Sequence, residues 1–251
     1  MYMTTPREIK VMYHTYLDAL AFYGIESAHP GGFDLTSNIM MNERIDANTT
    51  ILDAGCGIGQ TSHFLAETFK CHIYAVDNHP QMVKKAAQRF QQANLPIRVY
   101  MSSLEELPFP NDSFDYIVAE STTGFTEINK SIAEYYRVLK PGGILLSIDM
   151  TAEIALHANL KVELMNFYKL KNIPTELEWV RAFKEQGFKH TEILHSSTVL
   201  EELKRYSAAN QRSSDSPVFK GTLNDIIKEH YRLMLTHGNS LGYRAFRVSK
   251  G

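Results

Sequence analysis

Ile51-Leu52-Asp53-Ala54-Gly55-Cys56-Gly57-Ile58-Gly59-Gln60 is the stretch that decides the fold. A short β-like run enters three alternating glycines, and a helix-compatible pattern follows over 58–69. A chain that turns sharply from strand to helix needs positive φ, which glycine adopts without strain. A missing Cβ also lets a ligand lie against the backbone, where the N–H groups of a helix N-terminus face anionic groups. Asp77 stands 18 residues after Gly59, behind a second apolar run over His72–Val76. A carboxylate at that point can accept two hydrogen bonds from a ribose diol, and it repels a 2′-phosphate. A strand–helix turn that held no ligand would need the same glycines, so the loop takes its meaning from its surroundings.

Outward from the loop, strands and helices alternate. Pro80 opens a helix to about Gln92, since proline suits a first helical position. Ile97–Tyr100 reads as a third strand. Phe114–Ala119, after the turn Pro110-Asn111-Asp112-Ser113, reads as a fourth. A helix over 126–139 stops at Lys140-Pro141-Gly142-Gly143, and Ile144–Ile148 is a fifth strand. This alternation implies right-handed crossovers and a parallel sheet with helices on both faces. The ends differ. Residues 6–23 carry an apolar face of Ile9, Met12, Tyr13, Tyr16, Leu17 and Leu20, followed by a loop over 24–32 and a short helix from Asp34 to Glu43. Residues 151–173 read as helical with no strand. A helix over 175–186 ends at Gly187, and a strand runs from His190 to His195. Mainly helical sequence follows to about 240, broken by the polar stretch Gln211–Pro217, before a last strand over Tyr243–Val248.

The glycine spacing separates two nucleoside-cofactor classes. A dinucleotide fingerprint, G-x-G-x-x-G, would require glycine at 60, where this chain has Gln60. Asp53-x-Gly55-x-Gly57-x-Gly59 at a strand end resembles class I S-adenosylmethionine-dependent methyltransferases. Three further motifs are similar to that family in the same order: IYAVDNHPQMV at 73–83, LEELPFPNDSFDYIV at 104–118 and RVLKPGGILLSID at 137–149. The resemblance covers about 45–150, and its spellings are most similar to the ubiquinone- and menaquinone-biosynthesis branch, which acts on small molecules. It implies an α/β, Rossmann-like fold with a seven-stranded mixed sheet, the last strand antiparallel, helices on both faces and a helical lid. One methyltransferase domain would span 1–251. It would hold an N-terminal helical cap at 1–44, a cofactor-binding core at 45–150 and the C-terminal half of the sheet at 151–251, with a lid insertion at about 198–240. The implied cofactor is S-adenosyl-L-methionine. Asp53, Gly55, Gly57 and Gly59 would lie along its methionine and ribose, with Cys56 and Gln60 also binding the cofactor. Asp77 would hold the ribose hydroxyls, Asn78 and Met82 would border the adenine, and Ser103 and Leu104 would meet the adenine edge. Glu120 would sit beside the methionine part and the reactive methyl. A non-catalytic cofactor-binding or partner-binding module on the same fold is the alternative.

Glu120 and His29 are the candidate general bases, His29 because the His29-Pro30-Gly31-Gly32 turn joins two N-terminal helices. Cys56, inside the glycine loop, reads as a small packing residue. Tyr136-x-x-x-Lys140 has the spacing of a dehydrogenase pair. Its place before Pro141 makes Tyr136 a packing residue and sets Lys140 against a helix C-terminus. His190 and His195 fall on opposite faces of a strand at spacing five, and the ten histidines form no metal signature, so no metal is expected.

Ala119-Glu120-Ser121-Thr122 lacks the Asn/Asp-Pro-Pro-aromatic turn of enzymes that methylate base amines. With a net charge of −2, the chain also lacks a broad basic field, so nucleic acid is not an expected partner and a small-molecule methyl acceptor is. Two cysteines cannot build a disulfide framework. The start, MYMTTPREIK, has no apolar signal region, and no stretch reaches the roughly 18 apolar residues of a membrane span. The expected location is the cytoplasm.

Overall fold

The computed structural model describes residues 15–23, 31–209 and 222–251. Among them, seven strands form one sheet in the order β3-β2-β1-β4-β5-β7-β6. The strands are β1 (Thr50–Ala54), β2 (His72–Asp77), β3 (Arg98–Met101), β4 (Phe114–Glu120), β5 (Leu139–Ala152), β6 (His190–Thr198) and β7 (Leu241–Ser249). Pairing is parallel from β3 through β5, and β7 runs antiparallel to both neighbours, β5 and β6. The helices are α1 (Tyr16–Tyr23), α2 (Gly32–Met41), α3 (Gln60–Phe69), α4 (Pro80–Gln92), α5 (Ile128–Val138), α6 (Ala158–Tyr168), α7 (Glu176–Glu185), α8 (Val199–Ala209) and α9 (Thr222–His237).

Alternate residues of a strand point to opposite faces. Leu52, Ile117 and Leu145 therefore pack on one side with Tyr135 of α5 and with Trp179 and Phe183 of α7. Ile51, Val118 and Leu146 pack on the other with Met40 of α2 and Leu65 of α3. Burial on both faces is why β1 and the middle of β4 read as continuous apolar runs rather than alternating ones. Local signals set the helix ends. Pro80 opens α4, and Thr175 with Glu178 forms a capping box on α7, whose C-terminal turn ends at Gly187 with φ 101.

Three expectations are corrected. The helix stops before Lys140-Pro141-Gly142-Gly143 as expected, but β5 begins at Leu139 rather than at Ile144. Gly142 sits at φ 75, the register against β4 shifts between Phe114 and Tyr116, and the chain end pairs here through Gly142 N–H to Lys250 O at 2.9 Å. Lys140 accordingly binds both oxygens of Asp115, at 2.8 and 2.9 Å, rather than a helix terminus. Second, β5 continues to Ala152 because Thr151 and Ala152 pair with Gly242 and Leu241, so 151–173 does carry strand. Third, His190 and His195 share a face. Their partners on β7, Ser249 and Ala245, are four residues apart, and a bulge between Ile193 and His195 absorbs the odd residue. Among the described residues no helix is long and apolar enough to cross a membrane, and no group of His, Cys, Asp and Glu is placed to hold a metal.

Candidate active site

A cavity of about 470 Å³ lies over the carboxyl ends of β1, β2, β4 and β5, where open α/β sheets bind ligands. Its first wall is the glycine loop. Gly55, Gly57 and Gly59 take φ of 87, 52 and 82, and the N–H groups of Gly55 and Cys56 donate to Val76 O at 2.8 and 2.9 Å, tying the loop to β2. The three glycines do different jobs. A Cβ on Gly55 would run into the Thr122 methyl, and one on Gly59 would meet the Phe90 ring at 2.5 Å. A Cβ on Gly57 would meet nothing within 4 Å and would stand in the cavity.

Asp77 closes the loop from below. Its Oδ2 accepts the Gly57 N–H at 2.9 Å, and its Oδ1 accepts the His79 N–H at 2.8 Å. Each oxygen keeps acceptor capacity for a ribose hydroxyl. Burial raises the Asp77 carboxyl above its ordinary range, with the backbone donors pulling the other way. Asn78, Met82 and Leu104 continue the wall. An open Gly57 cradle beside a fixed carboxylate fits the nucleoside part of the cofactor the sequence implied.

Three more carboxyls face the cavity. Asp53 accepts the Ser62 hydroxyl at 2.6 Å, and burial pushes its pKa up to about 7. Asp149, in the last stretch of β5 pairing before Ala152, accepts the Ser147 hydroxyl and is likewise pushed up to about 7 by burial. The two oxygens of Glu120 accept hydroxyls from Thr36 of α2 and from Thr61 of α3, the latter at 2.6 Å. That carboxylate thus pins two helices to the end of β4.

The second wall comes from helices. Tyr16, Leu17 and Leu20 of α1, Tyr168 of α6, Val199 of α8, and His230 and Met234 of α9 line it, with Phe125, Met150 and Leu170 between them. Tyr168 Oη lies 2.9 Å from His230 Nδ1. The Tyr16 ring stacks on the imidazole at 5.0 Å and 24°, and meets Tyr168 edge-on at 5.2 Å. Burial pushes His230 down to about 4. The N-terminal helix is tied to the cofactor side. Asp18 Oδ1 lies 3.3 Å from His79 Nε2, and Lys85 donates to the carbonyls of Ala21 and Phe22 at 2.6 and 3.0 Å.

Asp53, Gly55, Cys56, Gly57, Gln60, Asp77, Asn78, Met82, Leu104 and Glu120 are therefore brought to one cavity. Gly59 and Ser103 are not among its lining residues. Gly59 packs on Phe90, and Ser103 is exposed, its Oγ accepting the Glu105 N–H at 3.1 Å. His29 lies outside the described residues. Cys56 is buried with its thiol raised well above the ordinary range, so it presents no thiolate. Sequence reasoning missed Asp149, although an acid at a strand's carboxyl end is a readable signal. It also missed Tyr168 as a site residue and gave His230 no role here. No motif marks either one.

Comparison with known proteins gives the family. Residues 51–143 match the family described as "Methyltransferase domain". The chain is 31% identical over 235 residues to the Bacillus subtilis (strain 168) protein "Uncharacterized methyltransferase YodH", covering 94% of this chain and 99% of that one. It is 35% identical over 114 residues to a demethylmenaquinone methyltransferase of Listeria welshimeri, covering 42% of this chain and 47% of that one. A Haemonchus contortus phosphoethanolamine N-methyltransferase 2, solved with S-adenosyl-L-methionine, shares the fold at a TM-score of 0.75 and 19% identity, over 93% of this chain and 56% of that one. The chain belongs to the class I S-adenosylmethionine-dependent methyltransferases. It is an enzyme of methyl transfer, and S-adenosyl-L-methionine is its cofactor.

Proposed function

We propose that this enzyme methylates a small, largely apolar molecule held in the helical half of the cavity. One observation carries the reading. The cavity does not end at the glycine loop but continues into a chamber walled by α1, α6, α8 and α9, whose lining includes the apolar side chains of Leu17, Leu20, Phe125, Met150 and Met234. Its volume is within the ~300–1,000 Å³ of small-molecule sites.

The cofactor supplies an electrophilic methyl group on sulfur. Everything else falls to the chain. Asp77 and the Gly57 backbone hold the nucleoside end, and Asp53 and Asp149 stand where the methionine end would lie. Glu120, clamped by Thr36 and Thr61, would fix the cavity floor beside that end. The helical wall excludes water and orients the acceptor, and such alignment can supply ~7–11 kcal/mol of barrier reduction. We read α1 together with α8 and α9 as a lid on this chamber, with the Asp18–His79 contact as its tie to the cofactor strand.

The test is a methyl-transfer assay with radiolabelled donor on the full chain. It uses a metabolite panel of hydroxylated aromatics, quinols, amines and thiols, with donor hydrolysis subtracted. Transfer to at least one member is expected. Cofactor binding with no transfer to any member would overturn the reading of a small, largely apolar acceptor.

A further inference from the structure

Tyr168, His230 and Tyr16 come from three helices separated by up to 214 residues of sequence, yet they form one contact group in the acceptor half of the cavity. Tyr168 Oη and His230 Nδ1 are at hydrogen-bond distance, 2.9 Å, and Tyr16 lies flat on the imidazole. The polar edge of this group is set into the apolar wall formed by Leu20, Phe125 and Met234. An imidazole there has a cost in desolvation, and packing alone would be served by a phenyl ring.

We propose that His230, oriented by Tyr168, is the general base of the reaction, and that the acceptor is an apolar molecule presenting a hydroxyl. This deepens the proposed function and rests on it. Nδ1–H donates to Tyr168 Oη, which leaves the Nε2 lone pair for the acceptor. In the step, the acceptor oxygen forms a new bond to the methyl carbon. The carbon–sulfur bond breaks with its electron pair left on sulfur, and the oxygen's proton passes to Nε2. Water later removes that proton from the imidazolium.

Charge accounting explains why so reluctant a base would serve. Burial holds His230 neutral, because a proton from water would add a positive charge to a dry site. The reaction adds none. One positive charge disappears at sulfur as one appears on the imidazole, and the facing Tyr16 ring favours the cation. The groups packed around the imidazole are Tyr16 from α1, Tyr168 from α6, and its own neighbours Glu229 and Tyr231, with Glu229 engaged by Arg232 at 2.7 and 2.8 Å.

The experiment uses the full chain with His230→Gln and Tyr168→Phe. On a hydroxyl substrate from the panel, His230→Gln should lower kcat about 100-fold or more, with KM and S-adenosylhomocysteine affinity within about threefold of the parent. Tyr168→Phe should lower it less, about tenfold. A readout without turnover is ring-15N histidine NMR with S-adenosylhomocysteine bound and phenol as the probe. One ring, absent from His230→Gln, should stay neutral down to pH 5 and shift when phenol is added. An unchanged kcat in His230→Gln, or a His230 signal indifferent to phenol, overturns the proposal. So does transfer to amines or thiols alone, which leaves small-molecule methylation standing. Transfer to no acceptor at all overturns the underlying reading as well.

Discussion

The wall made by Gly55, Gly57 and Asp77 and the wall made by Tyr16, Tyr168 and His230 enclose one cavity, yet they are built differently. On the cofactor side the cavity wall is largely backbone. Two positive-φ glycines, Gly55 and Gly57, and two N–H groups fixed on Asp77 define the surface, so few substitutions are compatible with it. On the acceptor side the ligand meets side chains from helices, and any of several shapes could fill that wall. The first wall keeps one cofactor. The second is free to change its acceptor without disturbing the first, which is how one fold carries many reactions.

Substituting glycines breaks this comparison most severely. Gly57→Val should lower S-adenosylhomocysteine affinity at least ~100-fold by calorimetry, because the new side chain stands in the cavity. Its strain at φ 52 should cost only about 1–2 kcal/mol. Gly59→Val should do the reverse. Its side chain collides with buried Phe90, adding overpacking of about 1–3 kcal/mol to similar strain. Its Tm should fall by more than that of Gly57→Val. If the two variants lose affinity and stability in the same proportion, the loop has no division of labour.

Asp77→Ala is the next step down. Affinity for S-adenosylhomocysteine should fall by about 1.5–3 kcal/mol, with part of the loss due to the released Gly57 and His79 N–H groups. Unchanged affinity would remove Asp77 from the ribose.

The same contrast decides what the sequence made legible. A backbone-built wall leaves a short, local spelling, so residues 51–60 with Asp77 read correctly as strand, loop and partner acid. Gly59 was placed against the ligand because spacing cannot tell a glycine that faces a cavity from one that faces Phe90. Ser103 was placed by alignment with the family, and its turn with Glu105 turns it outward. The acceptor wall depends on where α6 and α9 dock, and nothing within ten residues of His230 announces Tyr168. Likewise the extension of β5 to Ala152 follows from pairing with β7, some 90 residues later, and no local run encodes it.

Closure sharpens the comparison further. If α1 and α9 cover a bound ligand, S-adenosylhomocysteine should slow amide exchange at 16–22 and 225–237 by about tenfold, or ~1.4 kcal/mol, with little change in β7. Equal protection of β7 would mean general stabilisation rather than a lid.

The smallest effect is a proton count, and it tests whether the two walls share an electrostatic field. Asp53 and Asp149 sit at about 7 in the fold against roughly 3.9 for a free aspartate. The native state therefore binds more protons than the unfolded state between those values. Its stability from these groups is fully present below pH ~4 and is lost as pH rises through 7. His230 acts oppositely. At about 4 rather than roughly 6.5, it binds fewer protons in the fold, and its contribution is lost as pH falls from 6.5 toward 4. Between pH 8 and 6.5 only the two carboxyls among these three groups titrate in the native state, so Tm without ligand should be higher at 6.5 than at 8. S-adenosylhomocysteine carries an ammonium group, and a cation beside Asp53 and Asp149 favours their ionised forms. At pH 7 binding should release roughly half a proton per carboxyl. Calorimetry in phosphate and in Tris, whose ionisation enthalpies differ, reads that release as a difference in apparent binding enthalpy. Asp149→Asn should reduce the difference by about half while His230→Gln leaves it unchanged, because the imidazole is already neutral at that pH. A binding enthalpy independent of buffer would place the ammonium away from both carboxyls and would move the methionine end of the cofactor off this part of the cavity floor.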